Sequence, residues 1–106
     1  MRDLKWSPLE KTLARQVFEQ ALDAELKDTL AEFKARAAVA STPDEMWAVR
    51  GFLAERQDEI DEKYDYRYSR LILVFARLIR EGRIREEQLD GLSGEKLEMI
   101  NGLVSL

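Results

Sequence analysis

The stretch from Thr42 to Gly82 constrains the fold most, because it predicts a helix longer than a compact domain of this size. Thr42 is a typical N-cap, Pro43 occupies the first helical position, and Glu45 follows three residues after the cap. Apolar residues then recur at three- and four-residue steps as far as Gly82, which fits a left-handed C-cap. The helix would measure roughly 58 Å at about 1.5 Å per residue, whereas a globule of about 100 residues has a radius of gyration near 13 Å. It must bend or break, most readily over 65–69, or project and be covered by another chain.

The two halves of this stretch require different surroundings. Residues 42–68 carry one apolar stripe on a charged helix, so one neighbouring seam is enough to cover them. Residues 71–79 are apolar nearly all round, which requires burial on most sides. We therefore expect a single helical domain over 1–106, with a rod at about 7–68 and a small packed head at about 69–106.

A second long helix is predicted from Ser7, since Ser7, Pro8 and Glu10 repeat the same start signal. Its apolar stripe advances by close to four residues per step, so it drifts by about 80° along the helix, and its two ends can contact different neighbours. After Gly82, two short amphipathic helical pieces form a natural lid for residues 71–79. The stripe consists of Leu9, Leu13, Val17, Phe18, Ala21, Leu22, Leu26, Leu30, Phe33 and Ala37.

Two antiparallel helices contact each other along only one seam, so their apolar side chains are covered on one side and exposed on the other. A second copy of the chain would cover the rest, and the predicted fold class is all-α, with the two long helices forming a rod-like dimer and the C-terminal segments forming the head. The alternative is a bent monomer whose C-terminal segments fold back over the rod. Trp47 suits an interface anchor, although its spacing also allows burial within one chain. The expected dimer interface comprises Leu30, Met46, Trp47 and Leu53.

Composition argues against several classes of function. His and Cys are absent, so the commonest proton-transfer group, metal ligand and thiol nucleophile are missing, and we expect neither an enzyme nor a cofactor. The net charge of -4 argues against a general nucleic-acid binder. No apolar run approaches the roughly 20 residues of a membrane span, and residues 1–6 lack the apolar core of a signal peptide. We expect a cytoplasmic protein without integral membrane insertion.

The acidic run at 58–65 suggests a metal site, but its spacing is wrong for one. An EF-hand loop beginning at Asp61 would require glycine where Tyr66 stands. We interpret the run as a solvated helix face with pairs such as Glu59 to Lys63.

Aromatic and basic residues near the end of the long stretch allow two interpretations each. Of the three tyrosines at 64–68, only Tyr64 and Tyr68 would share a helical face, and packing between rod and head is favoured over a stacking platform. A group of arginines either binds an acidic partner or compensates the helix dipole, and the sequence does not separate these two roles. The group consists of Arg77, Arg80, Arg83 and Arg85.

A string of residues from Trp47 to Gly82 forms a more specific pattern than the helix signals alone. It consists of Trp47, Phe52, Leu53, Glu59, Ile60, Asp61, Lys63, Tyr64, Asp65, Arg67, Val74, Phe75, Ala76, Leu78, Ile79, Glu81 and Gly82. Together with the order of the two capping signals, two long helices and short C-terminal helices, this string resembles the fluorescence recovery protein family of cyanobacteria, from about Trp6 to the C-terminus. The resemblance implies an all-helical homodimer that binds the C-terminal domain of the photoactivated orange carotenoid protein and speeds its return from the red to the orange form, which ends energy quenching at the phycobilisome. For a cyanobacterial chain, it also allows a peripheral position at the thylakoid membrane.

The resemblance also implies a partner-binding set, in which several residues differ from the cyanobacterial pattern. Trp47 is kept, whereas Arg50 and Gly51 replace a His-Asp pair. An arginine of the family is replaced by Gln57, with Arg56 one position earlier. In the head, a phenylalanine is replaced by Leu73 and a lysine by Met99. A helical adaptor that serves an unknown, non-photosynthetic partner is the alternative function.

Overall fold

The computed structural model describes residues 4–106, and every regular element in that range is helical. The chain extends over 54 × 24 × 23 Å, which fits a rod with a thicker end. Residues 1–3, on which part of the signal-peptide argument rests, lie outside the described range. The elements are α1 (Pro8–Val39), α2 (Pro43–Lys63), α3 (Leu71–Arg80), a short 3-10 helix (Glu86–Leu89) and α4 (Gly94–Val104).

The predicted helix starts are confirmed by their capping bonds. The Ser7 hydroxyl accepts the Glu10 backbone N–H at 3.1 Å, and the Glu10 carboxylate accepts the Ser7 N–H at 3.0 Å, which completes a capping box. Thr42 accepts the Glu45 N–H at 3.1 Å and so caps α2. Ser93 accepts the N–H of Lys96 and caps α4. Each cap satisfies a backbone donor that the helix itself leaves unpaired.

The long stretch from Thr42 to Gly82 is broken rather than continuous. Helix α2 ends at Lys63 and α3 begins at Leu71, so the interruption includes the predicted positions 65–69. Tyr64 leaves the helical conformation at φ -90° and ψ 69°. Gly82, at φ +73°, provides the left-handed turn predicted after α3, a conformation that glycine adopts without steric cost.

The head has a continuous apolar core around α3. Phe75 is 0% exposed, as the all-round apolar sequence of residues 71–79 predicts. The first half of α1 and the segments after Gly82 pack against α3. The prediction that these C-terminal segments cover residues 71–79 is therefore confirmed. The division of the chain near residue 68 stays a prediction, because α1 itself contributes to this core. The buried partners of α3 are Trp6, Ala14, Val17, Phe18, Ala21, Ile84, Leu89, Leu92 and Ile100.

The outer rod consists of the second half of α1 and most of α2, and it is thin. Among the residues of α2, Ile60 and Lys63 alone are buried. Trp47 is 58% exposed, which excludes its burial within the chain. The C-terminal helix packs chiefly on α3, so it does not cover the outer rod as the bent-monomer alternative requires.

Two local predictions about this junction are wrong. Lys63 does not pair with Glu59 on a solvated face, since its ammonium is buried against other carboxylates, and Glu59 lies 3.7 Å from Arg56 instead. Tyr64 and Tyr68 do not share a helical face, because the chain between α2 and α3 is not helical.

The tyrosines do pack between rod and head, as predicted. The rings of Tyr64 and Tyr66 meet Phe18 edge to face, with centroids 5.4 and 4.8 Å apart. Tyr68 lies against Trp6, with centroids 5.7 Å apart. Such edge-to-face pairs favour packing over a base-stacking platform.

Candidate functional site

The outer rod carries an apolar surface that the chain itself does not cover. A groove of about 560 Å³ runs between the end of α1 and the start of α2. Leu30 and Leu26 lie on the same α1 stripe, one and two turns before Phe33, and both are about half exposed. An exposed apolar patch bordered by charge is typical of a protein interaction site. The apolar residues of the groove are Phe33, Ala37, Ala40, Pro43, Met46, Val49 and Leu53.

The structure brings together most of the residues predicted for the dimer interface. Met46 and Leu53 line the groove, and Leu30 lies on the same side of α1 as Phe33. Trp47 is exposed beside Met46 but is not part of the groove wall. Phe33 lines the same groove and Leu26 is exposed on the same α1 stripe, although the predicted interface included neither residue.

The predicted partner-binding residues of α2 are placed unevenly. Arg50 is exposed at the edge of the groove. Gly51 and Gln57 are exposed on the rod, and a Cβ added at Gly51 would have no atom within 4 Å. Arg56, in contrast, donates to Glu32 of α1 at 3.2 Å, and its guanidinium lies 5.0 Å from the Phe52 ring centre. Arg56 is therefore engaged within the chain.

A second exposed surface lies on the head, where Leu73 of α3 and Met99 of α4 are each about two-fifths exposed. A groove of about 430 Å³ beside Leu73 is lined by apolar side chains, two arginines and one glutamate. Arg80 is exposed at this groove, whereas Arg77 donates to Glu81 at 2.9 Å. The lining residues are Leu73, Ala76, Arg77, Arg80, Glu81, Leu103 and Leu106.

The arginine group therefore divides between two roles. Arg83 forms a 2.6 Å ion pair with Asp28 and lies 3.4 Å from Glu25, so it joins the head to α1. Asp28 holds the pKa of Arg83 above its usual range. Arg77 is bound to Glu81. Arg80, the other arginine of α3, forms no ion pair with residues 4–106, so its charge is available to an acidic partner protein.

A buried ion pair inside the head connects the start of α1 to α4. The Lys96 ammonium lies 3.1 and 3.2 Å from the two oxygens of Glu10 and donates to the carbonyl of Lys5 at 2.6 Å. Burial by itself would raise the pKa of Glu10, but the backbone donors of Ser7 and Ser93 and the Lys96 ammonium lower it to about 2. Glu10 is therefore ionised at neutral pH, and it joins the start of α1 to Ser93 and Lys96 at the start of α4.

A second buried ion cluster lies where rod and head meet. Lys63 donates to Glu25 at 2.7 Å and to Glu81 at 2.6 Å, and the Tyr64 hydroxyl donates to Glu25 at 2.7 Å. Burial, followed by this bond to Glu25, raises the pKa of Tyr64 above its usual range. Burial opposes ionisation of Glu81, but its bonds to Lys63 and Arg77 lower its pKa.

The sequence contains a signal for the buried carboxylates Glu10 and Glu25. Glu10, Glu25 and Thr29 continue the helical period of the buried α1 residues Ala14 to Ala21, so polar residues occupy positions of an apolar stripe. Polar residues at such positions predict buried, paired groups. Within residues 4–106, no group of three acidic side chains could hold a metal ion, and no helix is long and apolar enough to cross a membrane.

An all-helical chain with an intact core at one end and exposed apolar surfaces elsewhere is typical of small helical proteins that bind other proteins. A sequence model of the family described as photoprotection regulator fluorescence recovery protein matches residues 6–104. The chain belongs to this family, as its sequence resemblance predicted.

Individual relatives agree in sequence and in fold. The chain is 38% identical to the fluorescence recovery protein of Synechocystis sp. over 101 residues, which cover 95% of this chain and 93% of the relative. The solved structure of the Fremyella diplosiphon fluorescence recovery protein is 35% identical and superimposes with a TM-score of 0.91, covering 96% of this chain and 100% of that chain. The Synechocystis structure gives the same TM-score and coverage at 37% identity.

Proposed function

We propose that the chain is a homodimeric regulator that binds the photoactivated orange carotenoid protein through its C-terminal domain and speeds its red-to-orange return, which ends quenching at the phycobilisome. Membership of the photoprotection regulator family carries this proposal. The protein acts in the cytoplasm, at most peripherally at the thylakoid membrane. It acts without covalent chemistry, through binding to one conformation of its partner.

Dimerisation through the outer rod is supported by the apolar surface that the chain leaves open. Leu30 and Met46 are 51% and 52% exposed in the isolated chain. A second rod laid along the groove would bury these side chains together with Leu53, at about 25 cal/mol per Å² of apolar area removed from water. Trp47, which lies beside the groove wall rather than in it, would stand at the rim of this dimer contact and keep part of its ring open to a partner.

The partner surface is proposed to include Trp47, Arg50, Gly51 and Gln57 on the rod. On the head it is proposed to include Met99 and the groove beside Leu73. Trp47 offers exposed aromatic area, and Arg50 offers a guanidinium that the described chain does not pair. Arg80 adds an open charge to the head groove. Arg56 contributes through Glu32, which it holds in place, rather than through a free charge.

A regulator of this kind must bind the compact or transitional form of its partner more tightly than the separated form. Equal affinity for all forms would shift nothing, however strong the binding. Two separate surfaces on one rigid chain suit this task, because a partner that touches both must bring its own contact regions to a fixed spacing.

The test is the rate of red-to-orange recovery of an orange carotenoid protein after light is removed, titrated with this chain. Acceleration that saturates with chain concentration is expected. Arg50→Ala should weaken the apparent affinity. Arg15→Ala, which removes an exposed arginine that Tyr66 and Glu19 already engage within the chain, is the control and should leave the affinity unchanged. No acceleration at tens of micromolar would favour the helical adaptor with another partner, which shares this scaffold.

Residues altered relative to cyanobacterial relatives provide a gain-of-function test. A carboxylate at Gly51 and a guanidinium at Gln57 would add two charges to the proposed partner surface, and a charge pair lost from such a surface typically costs about 2–5 kcal/mol when it is desolvated. Gly51→Asp with Gln57→Arg should therefore lower the chain concentration needed for half-maximal recovery rate. An unchanged concentration dependence would show that the contact surface lies elsewhere.

A further inference from the structure

The end of α2 is attached to the rest of the molecule by charges. Lys63, the last residue of α2, is 6% exposed, and it donates to Glu25 in the middle of α1 and to Glu81 at the end of α3. Glu25 also accepts the Tyr64 hydroxyl, and Arg83 lies 3.4 Å from it. One ammonium and two carboxylates thus connect three helices at a single point.

Apolar packing at this point is limited to two side chains. Ile60 is the one buried apolar residue among the residues of α2, and the Tyr64 ring, directly after α2, meets Phe18 edge to face. The chain that follows, residues 64–70, has no regular helix or strand to direct α2. Besides these two contacts, three short bonds to groups on two other helices hold the end of α2.

Burying these charges is costly, so their advantage is more in geometry than in stability. Desolvation costs several kcal/mol per ion, and apolar side chains of similar volume are often as stable or more so. A buried ammonium must keep its acceptors within hydrogen-bonding distance, because an unpaired buried charge costs its full desolvation, whereas apolar contacts tolerate sliding and rotation. A movement of α2 that carries Lys63 beyond reach of Glu25 or Glu81 would therefore be costly.

We propose that Lys63 is a positioning residue, which fixes the rotation and axial position of α2 relative to the head through Glu25 and Glu81. Trp47 lies at the far end of α2 and Leu73 lies on α3, so this cluster sets the spacing between the rod surface and the head groove. The inference rests on the contacts of this chain, and it holds whichever partner uses the two surfaces.

The chain contains a matched control for this role. Lys96 is as buried as Lys63 and pairs with Glu10, but this pair connects α1 to α4 inside the head. Loss of either ammonium leaves a buried carboxylate unpaired, so both variants should lose stability. Only the loss of Lys63 should change the position of α2.

The experiment measures a distance between α2 and the head. The sequence has no cysteine, so Glu55→Cys on α2 and Gln20→Cys on the first half of α1, which packs in the head, introduce two spin labels at exposed positions away from the Lys96 pair. Labelled chain is mixed with excess unlabelled chain, so that pulsed electron paramagnetic resonance reports distances within one chain. Circular dichroism confirms that each variant keeps its helix content.

The expected result is one narrow distance distribution for the parent, and a distribution broadened roughly twofold, or shifted, for Lys63→Met, as local release of a helix end predicts. Lys96→Met should keep the parental distribution. The proposal is overturned if Lys63→Met keeps it as well, or if both variants broaden it equally. Should Lys63→Met not fold, Glu81→Ala removes one acceptor of Lys63 at a position whose side chain is 36% exposed. It should broaden the distribution less but measurably, and an unchanged distribution then overturns the proposal.

Discussion

The head and the outer rod share α1, yet apolar side chains of this helix are buried in the head and exposed in the rod. In the first half of α1, Val17 and Phe18 are buried against α3. In the second half, Leu26 and Leu30 continue the same stripe and remain about half exposed. One helix therefore passes from a core that the chain completes to a surface that it leaves open.

This difference arises from what each half of α1 meets. The head receives three further segments, and two of them are short helices that add apolar residues such as Leu89 and Ile100 around α3. The rod receives α2 alone, whose own charged faces prevent it from covering α1 on more than one side. The head thus provides stability and the rod provides surface for association.

The largest expected effect concerns the head core. Phe75→Ala removes a fully buried aromatic side chain and should lower the free energy of unfolding by about 3–5 kcal/mol, since the lost burial adds to the cost of the cavity. Chemical denaturation measures this loss. Leu73→Ala, on the same helix but exposed, is the control and should cost far less. Similar losses at both positions would contradict the division between core and surface.

The second effect concerns the rod. Leu30→Glu places a charge on the proposed dimer surface and should weaken association by about 3 kcal/mol, or about 100-fold. Light scattering across a concentration series measures the shift from dimer to monomer. Leu9→Glu makes the same change at an exposed α1 position and should leave the mass unchanged. A monomer mass for the parent protein at micromolar concentration would contradict the dimer altogether.

The third effect distinguishes ion pairs of the head from those of the rod. The pKa of Glu10 is lowered from 4.5 to about 2, so its stabilising contribution is complete above pH 4.5 and is lost as the pH falls towards 2. The contribution should be roughly 1–3 kcal/mol after allowance for solvent screening.

Thermal melting of the parent and of Glu10→Gln between pH 2 and pH 7 measures this contribution. The two stabilities should converge as the pH falls. Glu32→Gln in the rod is the comparison, because the Glu32 carboxylate is partly exposed and pairs with Arg36 and Arg56. Its stability should differ less from that of the parent at neutral pH, and this difference should also vanish as the pH falls. A difference at Glu10 that does not depend on pH would show that its ionisation is not what stabilises the head.

Much of this division was available from the sequence, because periodicity and capping are local signals. The caps at Ser7 and Thr42, the break near 65–69 and the burial of Phe75 all followed from residue spacing. The sequence also placed an apolar stripe on α1 whose ends face different surroundings.

The contacts that depend on distant parts of the chain did not follow from local pattern. Lys63 was assigned to a solvated face because Glu59 stands four residues earlier, yet its partners are Glu25 and Glu81, 38 and 18 residues away. Arg56 was expected to be open to a partner, and Glu32 on the neighbouring helix binds it. Pairing across helices depends on how the helices rotate against each other, which spacing within one helix does not determine.

The smallest expected effect tests whether the glycine inside α2 makes the rod less stable than an alanine there would. Gly51 lies in the interior of α2, and a Cβ there would have no atom within 4 Å, so Gly51→Ala should raise the free energy of unfolding by roughly 0.5–1 kcal/mol. Gly82→Ala is the matched control, because its φ of +73° disfavours a side chain although the space is open, and the same substitution should be destabilising there. Urea denaturation of both variants measures the two signs. A loss of stability at Gly51 would mean that a side chain there meets a second copy of the chain, and would place this part of α2 inside the dimer contact rather than on the surface left for the partner.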